Sequence, residues 1–264
     1  MRSAADTELP LRKAEDSDLS AVKTLRKALT ILDAFAGAER PLTVAEVAIM
    51  TGVTRPTAHR LAQTLIAEGF LSQDARDGRI SPGYSVLQLA GRLLDSNRLR
   101  LEALPHLESL AHSCGERSNL GILHRGQILF LAGVEKPSLP TIYSRFGKTA
   151  PAYCISLGKA ILAELPPSQL DAYLAGQALL RRTPNTITQE AALRKELGRV
   201  KRQGYAVDRE EYITGTFCVA SILVDGNPAG AIGITGRSLE GLMEHVGAIR
   251  HTAEVISHVL SHGK

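Results

Sequence analysis

The segment from Leu42 to Leu71 constrains the fold most, because its pattern is that of two short helices joined at a glycine. Thr43 is placed to cap the first helix. Gly52 allows the positive φ of a tight turn, since it has no side-chain carbon. The small and branched residues of the first helix that we expect to point inward are Val44, Val47 and Ala48.

The second helix of this segment separates an apolar face from a polar one. Thr54 is placed to cap it, and Pro56 lies in the first turn, where a missing amide hydrogen costs nothing. Its inward face, by spacings of three and four, is formed by Ala58, Leu61 and Leu65.

The polar face of the second helix offers groups that can hydrogen-bond to base edges in a major groove. Helix-turn-helix spacing is weakly specific, so a solvated amphipathic helix pair is the alternative. The residues of this helix that we predict to contact DNA are Thr54, Arg55, Thr57, Ala58, His59, Arg60 and Gln63.

A basic hairpin is predicted directly after the second helix. Asp77-Gly78 is a turn signal, and Arg76 and Arg79 flank it at the tip. Such a hairpin is a wing, whose arginines are expected to contact phosphates more often than bases. The sequence therefore predicts a winged helix-turn-helix domain over residues 19–83.

A long helix is predicted ahead of this segment, from about Ser20 to Ala36, after a disordered arm at residues 1–18. We expect its apolar stripe to be Val22, Leu25, Leu29, Leu32 and Ala36. On its other side Arg26 is a candidate contact to the phosphate backbone, although a solvated face is as good an interpretation.

Charge and composition limit the class of protein. Residues 1–85 hold 11 Lys and Arg against 11 Asp and Glu, so DNA binding must depend on a few well-placed arginines rather than on a general positive field. Three widely spaced cysteines predict neither a disulfide framework nor a zinc site. With no apolar run of membrane length and no secretory signal, we expect a cytoplasmic protein without membrane, metal or cofactor.

A leucine-rich connector is predicted from Tyr84 to about Cys114, in two helices that break at Ser96-Asn97. Its apolar face is too wide for an isolated surface helix. We predict that it packs against its copy in a second subunit, which would set two reading helices for a two-fold DNA site. Packing within its own chain is the alternative.

Beyond Gly115 the apolar period changes from near 3.6 to 2, which indicates strands. We predict six of them, at residues 119–124, 128–134, 141–146, 205–207, 218–224 and 229–235. A loop at 147–157 precedes a helix at 158–165. Further helices are predicted at residues 168–174 and 190–203, and a last one carries Leu242, Val246, Ile249, Ala253, Ile256 and Leu260. The expected fold is α+β, with an antiparallel sheet flanked by helices, as in many small-molecule sensor domains.

The chain from about Leu19 to His262 resembles the IclR-type transcriptional regulators. LRKALTILDAF followed by LTVAEVAIMTGVTRPTAHRLAQTLIAEGFL is similar to their winged helix-turn-helix, and SLGKAILAELP to the start of their effector-domain helix. The most specific match is GYAVDREEYITGTFCVASILVD, which departs from the family pattern at Val224. The resemblance implies a homodimer or homotetramer that binds operator DNA, and a GAF-like C-terminal domain that binds a small organic acid.

The resemblance also implies an effector site between a loop and the sheet. Its expected residues are Ala150, Tyr153, Cys154, Ser156, Leu157, Gly158, Asp208, Cys218, Gly233 and Thr235. Chemistry makes the loop plausible, because the free amides at a helix N-terminus attract an anion. Gly233 stands where the family often has serine. We expect the missing hydroxyl to enlarge the space and to favour a bulkier or aromatic acid.

The functional expectation is a repressor that is relieved by its ligand, with residues 84–98 as linker and 99–264 as effector domain. Asp208, Glu210 and Glu211 invite an acid-base interpretation, but no activated nucleophile accompanies them. Two rivals remain open: a small-molecule enzyme with an accessory DNA-binding module, and a winged domain that binds protein.

Overall fold

The computed structural model describes residues 22–135 and 146–262. They form two compact units, and the chain passes from one to the other between Ser96 and Asn97. The arm at residues 1–18 and most of the strand expected at residues 141–146 lie outside the described residues. The boundaries predicted for the linker, 84–98, stay a prediction.

The first unit is the expected helix-turn-helix with a two-stranded hairpin. Thr43 forms a capping box with Glu46, and Gly52 ends the second helix at φ 66°. Both features arise from the local sequence, as predicted. The elements in chain order are α1 (Lys23–Ala36), α2 (Val44–Thr51), α3 (Arg55–Ala67), β1 (Leu71–Gln73), β2 (Ile80–Pro82) and α4 (Tyr84–Ser96).

The apolar stripe predicted for α1 is wrong except at Leu32. Val22, Leu25 and Leu29 are exposed, and the residues that enter the core are instead Ile31 and Phe35, with Ala28 and Leu32 partly buried beside them. These four positions follow the same spacing of three and four, but the face is rotated by about one residue, or roughly 100°. The periodicity of an apolar helix does not say which of two adjacent stripes meets the small core.

The second unit is a six-stranded antiparallel sheet with helices on both faces. The strand order is β5-β4-β3-β8-β7-β6. The strands are β3 (Arg117–His124), β4 (Gln127–Val134), β5 (Thr149–Pro151), β6 (Ala206–Arg209), β7 (Phe217–Asp225) and β8 (Asn227–Gly236). The helices are α5 (Arg98–Cys114), α6 (Ser156–Glu164), α7 (Pro167–Gly176), α8 (Glu190–Gln203), α9 (Leu239–Glu244) and α10 (Val246–His262).

Each face of this sheet has its own core. On one face α6, α7 and α8 pack with Ala206 and Ala220, and on the other α5 and α10 pack with Val207 and Val219. Consecutive residues of β6 and β7 thus alternate between the two cores, as the pleat of a strand requires. The predicted α+β class and antiparallel sheet are confirmed.

Three element predictions need correction. The edge strand β5 lies at Thr149–Pro151, inside the predicted loop, and a 3-10 turn, Ala152–Cys154, follows it. Helix α6 begins at Ser156, two residues before the predicted start, because Gly158 fits within its first turn. The last predicted helix is two helices separated at His245, although Leu242, Ile249, Ala253, Ile256 and Leu260 are all buried as expected.

No helix within residues 22–135 or 146–262 has both the length and the apolar character needed to cross a membrane.

Candidate functional site

The outer surface of α3 presents the polar side chains expected there. Arg55, His59, Arg60 and Gln63 are exposed, and Thr57 is half-buried. The opposite side packs Ala58, Leu61 and Ala62 into the core of the first unit. This packing fixes the rotation of α3, so the exposed donors share one face.

Two of the assignments on α3 change. Ala58 is fully buried, so its side chain is a core contact and not a DNA contact. Thr54 does occupy the N-cap position, but its side chain caps no amide. Its hydroxyl instead donates to the hydroxyl of Thr57 at 2.9 Å. Thr54 therefore orients the hydroxyl of Thr57, a neighbour on α3.

The wing is tied to α3. Gln63 donates to the side chain of Gln73 at 3.3 Å, and Gln73 donates to the carbonyl of Gly78 at 2.9 Å. At the tip, Arg76 is exposed. Arg79 turns back onto the domain, where its guanidinium donates to the carbonyl of Pro41 at 3.2 Å.

Two carboxylates help to hold Arg79, Asp77 at 3.5 Å and Glu46 at 3.6 Å. The pKa of Glu46 is lowered to about 2, first by a hydrogen bond from Arg40 and then by hydrogen bonds from Thr43. Glu46 therefore stays charged and holds Arg40 and Arg79 against the surface of the domain. Of the two wing arginines, Arg76 is the better placed for a phosphate.

In the second unit, three of the expected effector residues form one row across the sheet. Asp208 pairs with Cys218, and Cys218 pairs with Thr235. Residues directly opposite each other in an antiparallel sheet project from the same face, so these side chains lie together. The thiol of Cys218 and the hydroxyl of Thr235 are 3.2 Å apart.

The predicted loop and the start of α6 lie against this same face of the sheet. The side chain of Ser156 reaches the thiol of Cys218, and Leu157 lies against β3 at Gly121. The first amides of a helix have no partner within it and carry the positive end of the helix dipole. The buried residues of this loop and first turn are Ala150, Tyr153, Cys154, Ser156, Leu157 and Gly158.

Burial controls ionisation in the row. The pKa of Asp208 is raised to about 7, chiefly by loss of water. The hydrogen bond from the backbone of Glu211 lowers this pKa, and the charge of Glu211, which raises it, is opposed by the charge of Lys159. The same cause raises the pKa of Cys154 to about 12 and that of Cys218 further. Both thiols are therefore neutral, and Asp208 is largely protonated below pH 7. The row does not repel an anion under those conditions.

Sequence reasoning missed a buried ion cluster beneath the site. Lys159, in the first turn of α6, has no exposed surface, and its ammonium lies 2.5 Å from Glu211 Oε1 and 3.1 Å from Glu196 Oε1. Asp208 belongs to the same region, since its Oδ1 accepts from the amide of Glu211 at 2.7 Å. A lysine among the apolar residues of SLGKAILAEL was the available signal.

Asn119 on β3 was also missed. Its Nδ2 donates to Thr235 Oγ1 at 3.1 Å, so it adjoins the row of Asp208, Cys218 and Thr235. An amide inside a strand of otherwise apolar residues, NLGIL, was the signal that could have found it.

The expectation that Gly233 enlarges the site is wrong. A side-chain carbon at Gly233 would lie 2.4 Å from the carbonyl oxygen of Val219 and 2.8 Å from the side chain of Ala220. The neighbouring strand already fills that space. A side-chain carbon at Gly158 would likewise lie 2.1 Å from the carbonyl oxygen of Ala152, so both glycines serve close packing.

Comparison with known proteins gives matches over both units. Residues 24–75 match the family model described as IclR helix-turn-helix domain, and residues 91–258 match that described as Bacterial transcriptional regulator IclR C-terminal. The chain is 32% identical over 251 residues to the glycerol operon regulatory protein of Streptomyces coelicolor, which covers 92% of this chain and 98% of that protein.

Two solved structures show the same architecture. The IclR of Thermotoga maritima is 30% identical, with a TM-score of 0.68 over 90% of this chain and 99% of that one. An IclR homologue of Microbacterium hydrocarbonoxydans, in complex with 4-hydroxybenzoate, is 24% identical, with a TM-score of 0.78 over 90% and 98%. At that lower identity the likeness concerns the fold alone.

Proposed function

Because the chain belongs to the IclR family of transcriptional regulators, with a DNA-binding helix-turn-helix and an effector-binding C-terminal domain, we propose that it is a repressor released by a small organic acid. The relatives that it matches are named regulators, so the chain is a regulator rather than an enzyme. A repressor acts on operator DNA, so its proposed location is the cytoplasm.

The observation that carries the DNA-binding surface is the exposed polar face of α3 set against a buried apolar face. Arg55 and Arg60 are the base-reading candidates, since an arginine can donate two hydrogen bonds to guanine. Arg26 and Arg76 are candidates for phosphate contacts. Thr54, Thr57, His59 and Gln63 complete the proposed reading surface.

The apolar surface of the first unit supports a dimer. Helix α4 has no buried residue, and its large apolar side chains are exposed, Leu87 at 67% and Leu89 at 61%. On α1, Leu25 and Leu29 are also exposed. A second copy that covers these side chains would remove them from water and would set two α3 helices on a pseudo-palindromic operator. Pairs of such dimers would form a tetramer.

The effector proposal is carried by the row of Asp208, Cys218 and Thr235 beneath the start of α6. Helix amides favour an anion, and the raised pKa of Asp208 removes a repulsive charge below pH 7. The ligand can release the operator only if it binds one arrangement of subunits more tightly than the other.

The DNA part of the proposal is tested with Arg55→Ala and Arg60→Ala. Each should weaken binding to an operator selected by the parent protein by about 5- to 150-fold, which corresponds to roughly 1 to 3 kcal/mol. Fluorescence anisotropy with labelled operator measures the dissociation constants at one fixed salt concentration. Arg202→Ala replaces an exposed arginine of α8 in the second unit, so it removes the same charge outside the helix-turn-helix domain and is the matched control.

Unchanged affinity in both α3 variants would show that α3 is not the reading helix. A reporter driven by the same operator tests the sign of regulation. Deletion of the gene for this protein should raise expression of the reporter. If expression of the reporter falls instead, the protein is an activator.

A further inference from the structure

Within the part of the chain that the structure describes, one half of the amide of Asn119 has no hydrogen-bond partner. Asn119 is only 4% exposed, and its Nδ2 is used by Thr235. Its Oδ1 is buried and meets no donor among the described residues. Buried polar atoms without partners are few in native proteins, and each one calls for an explanation.

The position of Asn119 connects this unpaired atom to the effector row. Asn119 on β3 pairs with Gly233 on β8, and Thr235 lies two residues after Gly233 on β8. The side chains of Asn119 and Thr235 therefore project from the same face of the sheet. Leu157, in the first turn of α6, contacts the same strand at Gly121, two residues from Asn119. The amide of Asn119 therefore lies at the edge of the effector row, beneath the N-terminus of α6.

The chemistry of an amide limits which group can pair with the unpaired atom. As placed, the unpaired atom is the oxygen, which needs a donor. If the amide is turned over, Thr235 donates to the oxygen and the unpaired atom is the nitrogen, which needs an acceptor. A hydroxyl group satisfies either orientation, because it both donates and accepts, whereas a keto or carboxylate oxygen satisfies only the second.

We propose that Asn119 is an effector-binding residue that hydrogen-bonds a hydroxyl group of the ligand, which makes the effector a hydroxylated carboxylic acid. This rests on the proposed function, since the helix amides are assigned to the carboxylate. Asn119, at the β3 edge of the row, then hydrogen-bonds the hydroxyl of the same ligand, and Thr235 holds the amide in place.

The test compares acids that differ only in the hydroxyl, on the full-length protein. Isothermal titration calorimetry gives dissociation constants for 4-hydroxybenzoate against benzoate, lactate against propionate, and 3-hydroxybutyrate against butyrate. In the parent, the hydroxylated member of at least one pair should bind at least about tenfold more tightly, because the deoxy acid leaves a buried polar atom unpaired. In Asn119→Leu that ratio should fall to near one.

The ratio within one variant is independent of the fraction of protein that is folded, because both acids meet the same sample. Asn119→Ser retains a hydroxyl and should preserve part of the preference. Ser118→Ala is the matched control, since Ser118 is the adjacent residue on β3 and its hydroxyl bonds to the carbonyl of Leu107 instead. It should leave the ratio unchanged.

The outcomes separate this inference from the proposal beneath it. Acids that bind the parent without any preference for the hydroxyl, or a preference that survives in Asn119→Leu, overturn the role of Asn119 and leave an acid effector standing. If no member of any pair binds the parent, the acid effector itself is refuted.

Discussion

Replacing Lys159 with methionine tests the buried ion cluster most directly. Methionine fills a similar volume, so the change removes the charge without opening a large cavity. Glu211 then loses its cation at 2.5 Å, while its Oε2 already has no partner among the described residues. Glu196 keeps Arg199, whose nitrogens lie 2.8 and 2.9 Å from its oxygens. The loss of stability in Lys159→Met should therefore come from the unpaired charge of Glu211.

We expect Lys159→Met to lower the free energy of unfolding by about 3 to 5 kcal/mol, the range for removing one partner of a buried pair. That is a large part of the 5 to 15 kcal/mol typical of a domain. The double variant Lys159→Met with Glu211→Gln should be more stable than Lys159→Met alone, because no uncompensated charge remains. Glu196→Gln should lower the free energy of unfolding by less than Lys159→Met or Glu211→Gln does alone.

Urea unfolding followed by far-UV circular dichroism measures these differences, since the chain has no tryptophan. Burial raises the pKa of Glu211 above its usual value, so this carboxyl takes up a proton readily once Lys159 is gone. The penalty should therefore shrink as the pH falls. A loss below about 1 kcal/mol at neutral pH, or a double variant less stable than the single one, would refute the reasoning.

Two further substitutions test the site. Because the folded pKa of Asp208 is raised from 3.8 to about 7, its protonated form stabilises the fold. That contribution is complete below pH 3.8 and is lost as the pH rises through 7, by about 4 kcal/mol at most. Asp208→Asn keeps the acceptor for the amide of Glu211, so urea unfolding between pH 4 and pH 8 should show a smaller fall in stability than in the parent; an identical fall contradicts the assignment. Gly233→Ser should destabilise by about 1 to 3 kcal/mol through overpacking, and Ala220→Gly in the same chain should restore part of the melting temperature; a neutral Gly233→Ser would show that the site has room after all.

The sequence by itself determined the features that depend on neighbours along the chain. The cap at Thr43, the turn at Gly52 and Pro56 in the first turn of α3 are local signals, and each lies where it was predicted. Helix α8 has its predicted bounds, Glu190–Gln203, because an apolar face and a terminal Gly204 define both its course and its end. The polar face of α3 was predictable for the same reason.

Only the tertiary structure decided which of these groups meet. Lys159 and Glu211 are 52 residues apart, and the pairing of Asp208, Cys218, Thr235 and Asn119 depends on the register of four strands. A shift of one residue in that register would turn each side chain to the other face. The choice of stripe on α1, the withdrawal of Arg79 toward Glu46 and the lack of room at Gly233 are likewise long-range contacts, which no local pattern encodes.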